Sequence, residues 1–269
     1  MLKDITLGQY FPGNSLIHKL DPRSKIIFVL LYIIYVFTIQ NIFSYIFVAL
    51  FILMCSLISK VPFKLMIKGL KPILFFIVLT AVFNLFLTPG KILFKLGFVT
   101  VTYEGVRMAA LLVLRLFFLI LGTSLLTLTT SPIALADGLE HLISPLKRIG
   151  VPAHEIAMMM TIALRFIPTL LEETDKIIKA QTARGADFES GNLIRRAKAM
   201  IPILIPLFIS AFRRADELAL AMECRCYHGG EGRTKLKSLK YERIDLFAFL
   251  FMILFGLTLI SFNFIKFTL

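Results

Sequence analysis

Residues 26–59 read IIFVLLYIIYVFTIQNIFSYIFVALFILMCSLIS, a run of 34 residues with no charge between Lys25 and Lys60. About 20 apolar residues in a helix rising 1.5 Å each cross a ~30 Å hydrocarbon core. One helix of 34 residues would be far too long for that. Gln40-Asn41 interrupts the run near its middle, so the stretch predicts two short spanning helices, over 26–40 and 42–59, joined by a tight turn. The composition agrees with a membrane protein. Of the 269 residues 58% are apolar and 17% are charged, against about 45–50% and 25% in soluble domains. With a mean hydropathy of +0.83, an ordinary water-soluble fold is excluded.

Working outward, three further runs qualify as spans. Residues 72–88 end at Thr88-Pro89-Gly90, a turn signal. Residues 106–129 carry one internal charge, Arg115, and 246–265 form the last run. The basic residues set the orientation, because Lys and Arg accumulate on the cytoplasmic side. On alternate faces of five spans they divide so that 25 of the 30 lie on one side, with the N-terminus and the 131–243 segment. That side is predicted to be cytoplasmic. The same distribution explains the net charge of +13 without nucleic acid as a partner. The first 25 residues contain no apolar stretch of a cleavable signal. The expected organisation is a cytoplasmic segment over 1–25, four spans over 26–130, a cytoplasmic or interfacial segment over 131–243, and a final span with a short external tail over 244–269. The fold class is an all-α integral membrane protein.

Residues 131–243 hold 30 of the 47 charged residues, yet remain rich in Leu, Ile, Met and Ala. Ser131-Pro132 reads as a cap followed by a first-position proline and opens a helix to about Ser144. A second helix is predicted over 152–184 and a third over 192–225. Their apolar residues recur at three- and four-residue spacing, and Pro168, Pro202 and Pro206 are expected to kink them. Met158, Met159 and Met160 form an adaptable apolar run.

The two long helices, taken as parallel, end alike. One closes on Ala183-Arg184-Gly185, the other on Cys224-Arg225-Cys226, 41 positions later. Arginine suits a helix C-terminus through the helix dipole, and Gly185 suits the left-handed capping position. Small neighbours also let such a tip enter a groove, where a guanidinium fork pairs with a carboxylate. Cys226 stands where the first ending has its capping glycine.

These endings, with His18-Lys19-Leu20-Asp21-Pro22-Arg23-Ser24-Lys25, Tyr103-Glu104-Gly105, Leu114-Arg115-Leu116 and Thr129-Thr130-Ser131-Pro132, make the chain resemble the T components of energy-coupling-factor vitamin transporters. The resemblance covers nearly the whole length. It implies a non-catalytic coupling subunit of a bacterial or archaeal cell membrane. Its partners would be two ABC ATPases, which bind the ATP, and a membrane-embedded substrate-binding S component. By the same resemblance Ala183, Arg184, Gly185, Cys224, Arg225 and Cys226 would be the ATPase-coupling residues. A dedicated cobalt- or nickel-uptake T component is the alternative.

Other chemistry is missing from the residues themselves. There is no G-x-x-x-x-G-K-[ST] run, so no cofactor is expected on this chain. His154-Glu155 is followed by Met158 where the zinc-protease pattern needs histidine. Cys224 and Cys226 lack the usual zinc spacing, and three cysteines do not make a disulfide framework. No catalytic or metal site is expected, and a membrane-embedded enzyme is the weaker reading. Arg115 is expected to snorkel or to pair with Glu104 or another span. Asp21, Pro22, Arg23 and Lys25 are read as a membrane-surface anchor or as a contact to the cytoplasmic helices.

Overall fold

The computed structural model describes residues 10–96, 99–188, 192–229 and 239–264. In chain order it forms α1 (Leu16–Lys19), α2 (Pro22–Thr38), α3 (Ser44–Ser59), α4 (Phe63–Lys68), α5 (Leu74–Leu87), β1 (Ile92–Leu96), β2 (Val99–Thr102), α6 (Tyr103–Thr129), α7 (Pro132–Ile143), a 3₁₀ turn over Ser144–Ile149, α8 (Ala153–Ala183), α9 (Leu193–Glu223) and α10 (Arg243–Phe264). Contacts group these into two compact units. The described parts of Gly8–Leu142 and Ser238–Leu269 form the first, those of Ile143–Lys237 the second.

The first unit is an apolar helix bundle, and the chain is an all-α membrane protein. α2 starts where the sequence asks it to: the Asp21 carboxylate accepts the Arg23 N–H, and Pro22 takes the first helical position. Its end is the tight turn expected at Gln40-Asn41. There Arg115 on α6 donates to the Ile39 carbonyl at 2.9 Å, one of the acceptors that a helix end leaves unsatisfied. Asn263 on α10 accepts the Gln40 N–H at 3.1 Å and donates to the Thr38 carbonyl. Three helices are thus fastened at one turn.

Tyr32, Val36, Val48, Ile52, Leu121, Leu125, Leu128, Phe255 and Leu259 build the core. Lipid tails are as apolar as leucine, so close packing rather than water exclusion drives such helices together. Gly122 provides it on α6: a Cβ there would collide with the Tyr32 ring. Outward, Leu30, Ile34, Phe75, Phe76, Phe83 and Phe86 are exposed, a surface suited to lipid. By length and composition α6, α8 and most of α10 qualify to cross a membrane, while α3 and α5 are shorter apolar helices. The connection between the 72–88 and 106–129 runs contains the antiparallel β1–β2 ribbon, which the all-helical reading does not include. Its strands are only five and four residues long, too short for periodicity to declare them.

The second unit is built on α8 and α9. Pro168 lies inside α8, and Pro202 and Pro206 inside α9. Each removes a helical donor, which leaves the carbonyl four residues earlier without its partner. For Pro206 that carbonyl is Pro202's, and the Gln181 side-chain amide donates to it at 3.5 Å. The helices are antiparallel, which corrects the parallel arrangement expected from their endings. Gln181 near the end of α8 meets Pro202 early in α9, and Glu173 meets Arg214 at 2.7 Å. Met158 near the start of α8 shares a cavity with Met222 at the end of α9. Similar endings say nothing of relative direction, whereas a connection of only nine residues between α8 and α9 lets the chain return along itself.

Candidate functional site: two arginine helix tips

The end of α8 is a Schellman cap. The Ala186 N–H reaches back to the Gln181 carbonyl at 3.0 Å and the Gly185 N–H to Thr182 at 2.9 Å. That pairing satisfies carbonyls the last turn would orphan and needs a left-handed residue at its pivot. Gly185 takes it, at φ 88°. Arg184 is the half-in residue just before, so its side chain leaves from the blunt end of the helix.

The end of α9 repeats this bond for bond. The Tyr227 N–H reaches the Met222 carbonyl at 3.0 Å and the Cys226 N–H reaches Glu223 at 2.9 Å. The pivot is Cys226 at φ 54°, so the cysteine reproduces the glycine's capping geometry and Arg225 occupies the position of Arg184. A side chain in the left-handed region costs about 1–2 kcal/mol. The cap forms despite that cost.

Both tips are open. Ala183, Arg184, Gly185, Cys224, Arg225 and Cys226 are all exposed. Among the described residues no ion pair or side-chain hydrogen bond engages either arginine. Each guanidinium keeps its five donors for a planar acceptor. Because the helices are antiparallel, the tips lie at opposite ends of the pair. Arg225 lines the same cavity of about 550 Å³ as Met158, which precedes Arg184 by 26 positions, so roughly 40 Å of α8 separates the tips. Of the methionine run, Met158 lines that cavity while Met159 and Met160 are exposed. Among the described residues no group of three His, Cys, Asp or Glu is placed to hold a metal.

The other residues singled out by the sequence lie in the first unit. Asp21 and Lys25 are each only 5% exposed, turned into protein instead of out toward headgroups. The Lys25 ammonium donates to the carbonyls of His18 and Thr129, both at 3.1 Å, and to the Thr130 hydroxyl at 3.2 Å. Two of these acceptors end α1 and α6, where the helix dipole favours a cation. The Arg23 guanidinium donates to the Leu239 carbonyl at 3.2 Å and lies over the Tyr241 ring. Pro22 packs beneath Gly138 of α7. Arg115, besides its bond to Ile39, lies over the Phe37 ring. Glu104 is not its partner but accepts the Lys91 N–H at 2.7 Å.

Sequence reasoning missed Asp245. Its buried carboxylate accepts the backbone N–H of Asp21 and of Glu242, both at 2.9 Å, clasping the first long helix to the last. Asn263 and the Glu173–Arg214 pair were missed too. An acid opening an apolar span was a visible signal for Asp245, and a lone amide closing the same span was one for Asn263. Nothing local marks Glu173 and Arg214 as partners.

Comparison with known proteins shows the family. The family of cobalt transport proteins, CbiQ, matches residues 13–236. The energy-coupling factor transporter transmembrane protein EcfT of Clostridium kluyveri is 62% identical over 250 residues, covering 92% of this chain and 93% of that one. Its counterpart in Ruminiclostridium cellulolyticum is 59% identical over 246 residues, 91% and 92% of the two chains. That of Bacillus subtilis is 49% identical over 246 residues, 91% and 93% of the two chains. With relatives this similar over nearly their whole length, the chain belongs to the family of energy-coupling factor transporter transmembrane proteins.

Proposed function

We propose that the chain is the non-catalytic coupling subunit of an ATP-driven importer. It passes the motion of two partner ATPases, through Arg184 and Arg225, to a separate membrane-embedded substrate-binding subunit. The observation that carries this reading is the pair of identically capped, exposed arginine tips at opposite ends of one helix pair. One ATPase takes each tip. When ATP closes the ATPases, the ends of α8 and α9 move together, and the exposed apolar faces of these helices reorient the substrate-binding partner. ATP is bound and hydrolysed by the partner chains, and this chain needs no cofactor of its own. The N-terminus and the 131–243 segment lie in the cytoplasm of a bacterial or archaeal cell, by the excess of Lys and Arg there.

The substrate reading is vitamins through a shared module, in line with the energy-coupling factor name of the relatives. The cobalt transport description of the matching family favours a second reading, a dedicated cobalt or nickel system. Affinity purification of the tagged chain from native membranes tests both. Two ABC ATPases with several small membrane proteins are expected. One fixed membrane partner would instead indicate the dedicated system, and recovery without any ATPase would overturn the coupling role.

A further inference from the structure

We propose that the β1–β2 ribbon is a membrane-interface element that lays an apolar face on the phospholipid leaflet at its end of the bundle. α5 has 14 residues and so rises roughly 21 Å, short of the ~30 Å hydrocarbon core. Its exposed apolar residues Val82, Phe83, Phe86 and Leu87 run to its last turn. Only the four residues 88–91 separate that turn from β1. The ribbon therefore continues a lipid-facing surface at the depth where the leaflet ends.

It is also held in place. The Lys91 N–H donates to the Glu104 carboxylate at 2.7 Å, the Tyr103 N–H to the Lys91 carbonyl at 2.9 Å, and the Thr102 hydroxyl to the Thr88 carbonyl at 2.8 Å. These bonds fix both strand ends to the ends of α5 and α6. Gly105 presses on the backbone of α5: a Cβ there would stand 3.0 Å from the Leu85 carbonyl.

The register sets which side of the ribbon carries Phe94. Ile92 pairs with Thr102, but the irregularity after Ile92 brings Phe94 opposite Val101, Lys95 opposite Thr100 and Leu96 opposite Val99. The extra residue shifts the alternation of faces. Phe94 and Val101 therefore share one side, and Ile92 and Thr102 the other. On that second side Thr102 is buried. Ile92, Leu93 and Phe94 are 61%, 58% and 62% exposed. In water, three consecutive exposed apolar residues on a two-stranded edge invite aggregation. At a bilayer interface the side that carries Phe94 inserts, while the exposed Lys91 and Arg107 suit anionic headgroups.

The chain contains no tryptophan, so Phe94→Trp supplies a single fluorescent reporter. The full-length variant is reconstituted in phosphatidylcholine–phosphatidylglycerol vesicles with or without bromine on the acyl chains. Phe83→Trp on the lipid-facing side of α5 is the reference. The Phe94→Trp emission is expected to fall by roughly half in brominated lipid, as for apolar faces sitting about 5–10 Å into the headgroup boundary. It is also expected to resist aqueous acrylamide. Quenching by acrylamide but not by brominated lipid, with Phe83→Trp quenched by the lipid, would overturn the proposal. Shielding from both quenchers would overturn it too, by placing the ribbon against protein.

Discussion

Arg184 and Arg225 occupy the same stereochemical position, the residue before a left-handed pivot, though the pivot is glycine in one case and cysteine in the other. Only the second pivot carries backbone strain, so Cys226→Gly should relieve about 1 kcal/mol. The amides of the last turn of α9 should then exchange with solvent roughly fivefold more slowly, as hydrogen-exchange mass spectrometry would record. Unchanged exchange would contradict the left-handed assignment. Elsewhere, Lys25→Met would leave three acceptors unsatisfied around an apolar group. It should destabilise the bundle by roughly 3 kcal/mol, measured by denaturant unfolding in detergent. The arginine tips were legible because dipole and capping preferences act within a few residues. The Lys25 environment was not: its partners Thr129 and Thr130 lie more than 100 positions away, and a basic flank reads the same whether it points to lipid or inward.

The elements were legible where a long period repeats. The break at Gln40-Asn41 divides α2 from α3 as the uncharged run demands, and the two long amphipathic helices end within a residue or two of their caps. The ribbon was not legible, because nine strand residues offer too little alternation and the bulge breaks what there is. Helix direction was not legible either, since it depends on partners such as Glu173 and Arg214, which are 41 positions apart. Glu173→Arg should weaken the α8–α9 pairing by about 1 kcal/mol at this part-exposed site, and adding Arg214→Glu should restore it. A double-mutant cycle read by proteolysis of the helix pair checks the antiparallel register; strictly additive losses would count against it. In the first unit, Gly122→Leu should separate α6 from α2 at Tyr32 and lower stability by about 1–3 kcal/mol. Thermal unfolding in micelles would show it.

At the scale of the whole molecule, charge distribution and hydropathy together identify a membrane protein, and the repeated tips point to what it does. The antiparallel arrangement adds what the sequence could not supply: the tips lie at opposite ends of the helix pair, which under the proposed function gives one to each of two ATPases. Under the proposed function, a pair held at both ends would convert closure of those ATPases into a rotation or tilt of its apolar faces. The most direct test is transport by the reconstituted complex carrying Arg184→Glu together with Arg225→Glu. Substrate uptake into vesicles should fall at least about tenfold, the loss of roughly 1.4 kcal/mol or more of charge-assisted pairing, and the ATPases should dissociate or hydrolyse ATP without transport. Uptake at the unmodified rate, with both ATPases still bound, would contradict the account.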